Sequence, residues 1–454
     1  MLIDKMSYFK TIGVNRYILS IILIVSSVKV SCSQERWSLQ RCIDSALVRN
    51  YEISKQEKEI QIRKYDYTIA KRERLPAVQG YSNVYTNFGR SQDIFGTIQR
   101  NDNLNSNMGI TAEIMLYNFH RLRNQARQAS INIDKEVLEK EIMDRELITR
   151  VVEAYLSVLM QVAIVEARDS AVMFSRHLYE RTEKTTQIGT TSKSELHEAK
   201  ANLTREMQQL QKVIMDRELA RLKLAQLIQM ENYKDVLFLL DELDLKMEQE
   251  ILPLEDLVLQ SYQKQPTARR YALSLLDLKL QEQITKSQLY PTISGSTTVA
   301  TTYFNAFRQS FTDPFLTQSR NNFAQQVVLN LSIPIFDRGR SRNQLPQLNV
   351  KESQLRIDND LELLWIRQQT EEIYLNYNVN NQNMNYAEEA RDDTRKALDF
   401  AEASFKTGQI SIYELNTSRQ NFIEAESELL KARYSTLFSY KMLLYQINDT
   451  YMVF

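Results

Sequence analysis

The sequence predicts a mainly α chain with a small β part: four β-strands of membrane-spanning length, set in two hairpins and continued by long antiparallel coiled-coil helices. Three observations carry this prediction. Glycine and proline are scarce and unevenly placed, residue alternation marks two separate windows, and the chain repeats itself once along its length.

The 454 residues include 57 Lys+Arg and 57 Asp+Glu, for a formal charge of zero, which excludes a basic nucleic-acid binder by composition. There are only 9 Gly and 7 Pro. No proline occurs between Pro76 and Pro253 or after Pro346, and Gly189 is the only glycine between Gly109 and Gly295. Proline breaks a helix interior and glycine weakens it by roughly 1 kcal/mol, so these stretches read as long helices. Most of the remaining Gly and Pro cluster around 76–109 and 291–346, where another structure is expected.

The N-terminus has a basic start (Lys5, Lys10, Arg16), an apolar run from Tyr17 to Val28 and then Ser31, Cys32 and Ser33. This is the layout of a secretory signal peptide over 1–33, with a run too short for a comfortable membrane span. Ser31 and Ser33 suit the small-residue positions before cleavage, giving a mature start at Gln34. Cys32 offers a second reading, lipid attachment, in which Lys29 sits awkwardly; an uncleaved anchoring helix is the third. No later segment approaches the ~20 apolar residues of a spanning helix, so membrane insertion would have to use strands. Cys32 and Cys42 are the only cysteines, which excludes a disulfide framework.

The duplication sets the organisation. Leu116-Tyr117-Asn118 returns as Ile335-Phe336-Asp337, and Glu153-Ala154-Tyr155-Leu156 as Glu372-Ile373-Tyr374-Leu375, both at an offset of 219. Gly189 returns as Gly408 and Glu195-Leu196 as Glu414-Leu415 at the same offset, as length-critical helices would require. Upstream, Leu75-Pro76 and Gly80 return as Tyr290-Pro291 and Gly295 at offset 215. The predicted order is an N-terminal helix (34–74), a β-hairpin (75–120), a helical hairpin (121–230) turning near Gly189, and a connector (231–253) partway along the length. A helix (254–289), a second β-hairpin (290–337), a second helical hairpin (338–448) turning near Gly408 and a tail (449–454) follow.

Strands are expected where apolar residues alternate. Val327, Leu329, Leu331, Ile333 and Ile335 share one face; Met108, Ile110, Ala112, Ile114 and Leu116 share another. Their partners are about Ala77–Phe88 and Thr292–Phe304, joined through polar loops at Gly89–Asn105 and Asn305–Asn321. Each strand has the ~9–11 residues a tilted membrane strand needs. Four strands cannot close a barrel, and an open edge cannot face lipid. Either the sheet is soluble or several chains complete one barrel. The long helices, Arg121 to Thr186 and Arg340 to Lys406, would each be about 100 Å long, with Asn118 and Asp337 as N-caps. Apolar residues spaced by three and four (Ile148, Val152, Tyr155, Leu159) predict coiled-coil-like packing.

The Pro-led strand starts, the corner Ile333-Pro334-Ile335-Phe336-Asp337-Arg338-Gly339-Arg340 and the paired turns Thr185–Gly189 and Ser404–Gly408 resemble the TolC-type outer-membrane factor family, in order and over essentially the whole mature chain. The resemblance implies a homotrimer whose twelve strands close a barrel in outer-membrane lipid and whose helices form a hollow α-barrel across the periplasm. It implies a passive exit duct of a tripartite efflux or type I secretion system, docked to a periplasmic membrane-fusion adaptor and an inner-membrane RND or ABC transporter. No enzymatic step, cofactor or nucleic acid is implied.

Ile188, Gly189, Thr190, Thr407, Gly408 and Gln409 would then form the periplasmic tip where the adaptor docks, although a left-handed glycine also simply ends a helix. Glu195 and Glu414 follow Ser192 and Ser411 by three residues, a capping-box spacing. In a trimer the same carboxylates would make a six-fold acidic ring at the pore entrance, favouring cations. Ile410 and Thr417 depart from the family's tip pattern, so a salt-bridge latch at Ile410 is excluded. His120, His177 and His197 lack metal-ligand spacing, and no nucleophile motif or phosphate loop occurs. Tyr81, Tyr85, Phe88, Tyr303 and Phe304 suit either aromatic girdles or a plain core. The competing reading is a periplasmic coiled-coil scaffold or adaptor that never enters a membrane.

Overall fold

The computed structural model describes residues 35–92, 96–230, 236–238, 251–307 and 313–447. The signal-peptide segment with Cys32, most of the expected connector and the C-terminal tail lie outside the described residues.

The described chain is helical except for one principal sheet and two short strand pairs. β1 (Glu35–Trp37) pairs in parallel with β6 (Val236–Phe238). α1 (Leu39–Arg49) and α2 (Tyr51–Arg72) stand where one helix was expected. The break is at Asn50, whose extended backbone (φ −64°, ψ 125°) lets its side chain accept from the N–H groups of Glu52 and Ile53 and cap α2. The second unit breaks at the equivalent place. Gln265 (φ −65°, ψ 129°) separates α5 (Leu254–Lys264) from α6 (Pro266–Ser287). Pro266 opens α6, where its missing N–H costs nothing, and it disfavours helical backbone at the residue before it. Both pairs have 11 and 22 residues.

The long helices are α3 (Arg121–Gln187) and α8 (Arg340–Lys406), each of 67 residues or about 100 Å. They return through α4 (Lys193–Leu227) and α9 (Ile412–Ile447). Neither N-terminus is built as expected. His120 and Gly339, both left-handed, are the residues before the helices, and no side chain caps from either position. Asp337 acts from three residues upstream of α8, its carboxylate accepting from the N–H groups of Gly339 (3.0 Å) and Ser341 (2.9 Å). Asn118 contributes its backbone carbonyl, to Arg121 N–H, in place of a side-chain cap.

The principal sheet has the antiparallel order β2 (Ala77–Asn87), β5 (Asn103–Tyr117), β7 (Thr292–Ala306), β8 (Ala324–Ser332). β8 stops at Ser332 because Pro334 lacks the N–H that the ladder needs, so Ile333 and Ile335 fall beyond it. The two expected loops carry structure. β3 (Arg90–Gln92) and β4 (Ile98–Arg100) form a small hairpin in the first. In the second, α7 (Phe315–Asn321) folds back on β7, where Gln318 hydrogen-bonds both the N–H and the carbonyl of Phe304.

The register sorts side chains onto two unlike faces. Gly80, Ile110 and Val299 lie side by side, as do Ile114, Gly295 and Leu329, so Val84, Val327 and Leu331 share an apolar face with them. The opposite face carries Asn83, Asn107, Thr111, Thr298, Ser296 and Asn330, with Thr111 and Thr298 hydrogen-bonded across strands at 3.1 Å. Every residue of β2 and β8 is exposed, including Leu329 at 70%. A water-soluble sheet buries its apolar face; this one leaves it bare.

The core sits midway along the helices. Cys42, Ile43, Val151, Tyr155, Leu224 and Leu437 pack in one cluster, and the Tyr155 hydroxyl donates to the Trp37 carbonyl (3.2 Å). Contrary to expectation, α3 holds a segment long and apolar enough to cross a membrane, but half of it is buried inside the protein. That apolar content belongs to the core cluster, not to lipid.

Candidate functional site at the helical tips

Both helical hairpins turn by the same local mechanism. At the first, Gly189 has φ 82°, its N–H donates to the Thr186 carbonyl and Thr190 N–H to the Thr185 carbonyl. At the second, Gly408 has φ 75°, its N–H donates to Phe405 and Gln409 N–H to Ser404. These are paired Schellman closures, which need a left-handed residue after the helix. Ile188, Gly189, Thr190, Thr407, Gly408 and Gln409 are all exposed.

The acidic pair enters the next helices as capping residues. Ser192 Oγ accepts from Glu195 N–H (3.2 Å) and donates to its carboxylate (3.3 Å). At Ser411 the box is reciprocal: Ser411 Oγ accepts from Glu414 N–H (3.3 Å), and the Glu414 carboxylate accepts from Ser411 N–H (3.1 Å). Both carboxylates stay exposed, and among the described residues each bonds only within its own turn.

Just behind the turns the two hairpins are joined. Leu178, Ala199, Leu398, Ile412 and Leu415 form a second apolar cluster, with Ile410 packed against it, so Ile410 makes an apolar contact where an arginine latch is excluded. Asn202 donates to Asn416 across the hairpins at 3.2 Å. A charged group accompanies this cluster. Arg419 lies 3.2 Å over the ring of Phe174, reaches Glu402 at 3.4 Å, and is pushed down to about 10 by burial, with Glu402 opposing the shift. Nearby, Glu206 is buried with Arg168 at 3.9 Å. Sequence reasoning missed Arg419. The available signal was a charge four residues from both Leu415 and Ile423, on the apolar seam of α9.

His120, His177 and His197 are separate, and no group of three metal-ligating side chains occurs among the described residues. Tyr81, Tyr85 and Phe304 lie on the polar face of the sheet, whereas Tyr303 lies on the apolar one and packs edge-on against Phe315. Phe88 stacks on Phe307 at the loop end.

The family model for outer membrane efflux proteins matches residues 42–228 and 263–444, one stretch in each repeat. Solved structures share the fold. CusC, described in the course of folding and transmembrane channel formation, superposes with a TM-score of 0.74 at 15% identity, over 91% of this chain and 92% of its own. The CmeC outer membrane channel of Campylobacter jejuni gives 0.72 at 14% identity, over 90% and 85%. The open-state MtrE outer membrane channel of Neisseria gonorrhoeae gives 0.68 at 17%, over 90% and 88%. No curated protein sequence matches the chain.

Proposed function

The chain belongs to the outer membrane efflux protein family, and from that membership we propose that it is the trimeric exit duct of a tripartite efflux or type I secretion machine, docked to a periplasmic adaptor and an inner-membrane RND or ABC transporter. Proteins of this family are non-enzymatic channels of the outer membrane that extend into the periplasm.

The observation that carries the trimer is a wall that is incomplete in a defined way. α3 has neighbours on both sides: α2 and α4 on one, α6 and α9 on the other. Its duplicate α8 has α6 and α9 on one side, matching α2 and α4. Its other side carries Ile357, Leu361, Leu364, Leu375, Val379 and Tyr386, 49–68% exposed. These residues recur with the helical period, roughly opposite the buried Leu348 and Ile366. The free sides of α2 and α4 offer Ile62, Tyr65, Ile69, Met207, Met215 and Leu219, also exposed. A second copy placed there gives α8 the neighbours that α3 already has.

The duplication supplies the register. Glu139 pairs with Arg270 at 3.4 Å between α3 and α6. Offsets of 219 and 215 carry these positions to Asp358 and Lys55, both exposed and opposite in charge. The Phe174–Arg419 contact maps by 219 to Asp393 and Lys200, again opposite in charge. The same arrangement joins the exposed edge β8 to the next copy's β2, so three chains close twelve strands with the apolar face outward. In that assembly the turns at Gly189 and Gly408 form the periplasmic tip and adaptor-docking surface, and Glu195 and Glu414 form a six-carboxylate ring.

Membrane fractionation with an unheated gel tests this reading. An outer-membrane species that runs as a trimer unheated and as a monomer after boiling is expected. A soluble periplasmic monomer would contradict it and favour the coiled-coil scaffold.

A further inference from the structure

A chain of zero net charge gathers cations where the sheet meets the helices. His120, Arg121, Arg123 and Arg127 lie at the start of α3, and Arg338, Arg340 and Arg342 at the start of α8. Neither helix has an acidic residue in its first turn. Arginine at a helix N-terminus opposes the helix dipole; at α8 the Asp337 carboxylate offsets this, whereas α3 has Asn118 in the equivalent place and no such carboxylate. Among the described residues, Arg121, Arg123, Arg127, Arg338, Arg340 and Arg342 form no ion pair.

The duplication is close here. Arg121-Leu122-Arg123-Asn124-Gln125 returns as Arg340-Ser341-Arg342-Asn343-Gln344. The first copy lines a cavity of about 380 Å³ between α3 and α6, walled by His120, Arg123, Asn124, Arg127, Gln283 and Lys286, with Phe119 at one side. No carboxylate lines it, and Lys286 alone has an acidic partner, Glu282 on its own helix. Asn124 is 8% exposed, lines this cavity, and its side-chain amide has no hydrogen-bond partner among the described residues.

We propose that this cavity binds the phosphodiester headgroup of an anionic phospholipid at the periplasmic surface of the outer membrane. Arg123 and Arg127, one helical turn apart, grip the phosphate oxygens; the free N–H groups of the first turn of α3 and the Asn124 amide complete the donor set. The cavity lies just past the end of β5, where a membrane-spanning sheet hands over to periplasmic helix, at headgroup level. The guanidinium groups of Arg123 and Arg127, the Lys286 ammonium and the Asn124 amide N–H suit a phosphate; the apolar Phe119 suits the ester end of a lipid.

The test uses the full chain extracted from membranes in mild detergent, delipidated, and then offered phosphatidylglycerol or phosphatidylcholine, with bound lipid read by native mass spectrometry. The wild type should retain phosphatidylglycerol preferentially, and R123Q/R127Q should lose that retention by about tenfold or more. Lys396→Gln, remote on α8, should match the wild type. Equal retention by R123Q/R127Q and K396Q overturns the proposal. So does release of phosphatidylglycerol by millimolar inorganic phosphate with no residual lipid preference, which would make the ligand a soluble phosphate. Planar-bilayer conductance of the same preparations reports the duct independently, so failure of the lipid site and failure of the duct reading are distinguishable.

Discussion

Gly408 stands in open space, and a Cβ placed on it would meet nothing within 4 Å. The cost of Gly408→Ala is therefore backbone strain alone, about 1–2 kcal/mol for a left-handed residue. Chemical denaturation should show that loss, and an unchanged midpoint would mean the turn is not held left-handed in solution. The carboxylates beside the turns separate structure from function. Glutamine serves a capping box as glutamate does, so E195Q/E414Q should keep the fold while removing the six charges of the proposed ring. Cation preference in planar bilayers should fall; an unchanged preference sinks the acidic ring and leaves capping as the role of both residues. Cys42 is fully buried and its thiol is pushed up to about 12 by burial, so it should resist thiol reagents at neutral pH until the protein unfolds. Rapid labelling of the native protein would contradict its burial.

At the scale of elements, Asp337 governs the start of α8. Hydrogen bonds from Ser341, through its side chain and then its N–H, and from Gly339 hold its carboxyl below the ordinary range. A lowered pKa means that this contribution is present above the ordinary carboxylate range and is lost as pH falls through the lowered value. Asp337→Asn should loosen the first turn of α8 at neutral pH, seen as faster amide exchange over 340–344; wild-type exchange rates there would refute the capping role. The long helices and strands were legible because Gly and Pro scarcity and residue alternation are local signals. The breaks at Asn50 and Gln265 were not. Asn50 is ordinary in composition, and its role as a cap depends on α1 packing Cys42, Ile43 and Ala46 into a core assembled from distant helices. Pro266 was the one local clue to the second break. The tip turns could be read from Gly189 and Gly408 with their Ser-x-x-Glu boxes. Arg419 showed only as a charge on the apolar seam of α9, because its partners Phe174 and Glu402 stand on two other helices.

The whole molecule is two copies of one unit, and each copy supplies one surface that its own chain leaves uncovered. α8 presents an apolar stripe on the side where α3 already holds α6 and α9, and the sheet ends in the exposed edges β2 and β8. Isolated, such edges and stripes invite aggregation; in the proposed closed ring they would be the joints. The number of copies in the proposed ring was not written in any local pattern, since each such pattern concerns one chain alone. The duplicated offsets nonetheless predict which residues meet across the joint. The most direct test is a disulfide between K55C and D358C in the full chain, formed in membranes under mild oxidation. Cys42, being buried, stays out of the reaction. The trimeric duct predicts covalent dimers and trimers on a boiled non-reducing gel, absent with either single substitution. A chain that stays monomeric while both introduced thiols react freely with maleimide would contradict it.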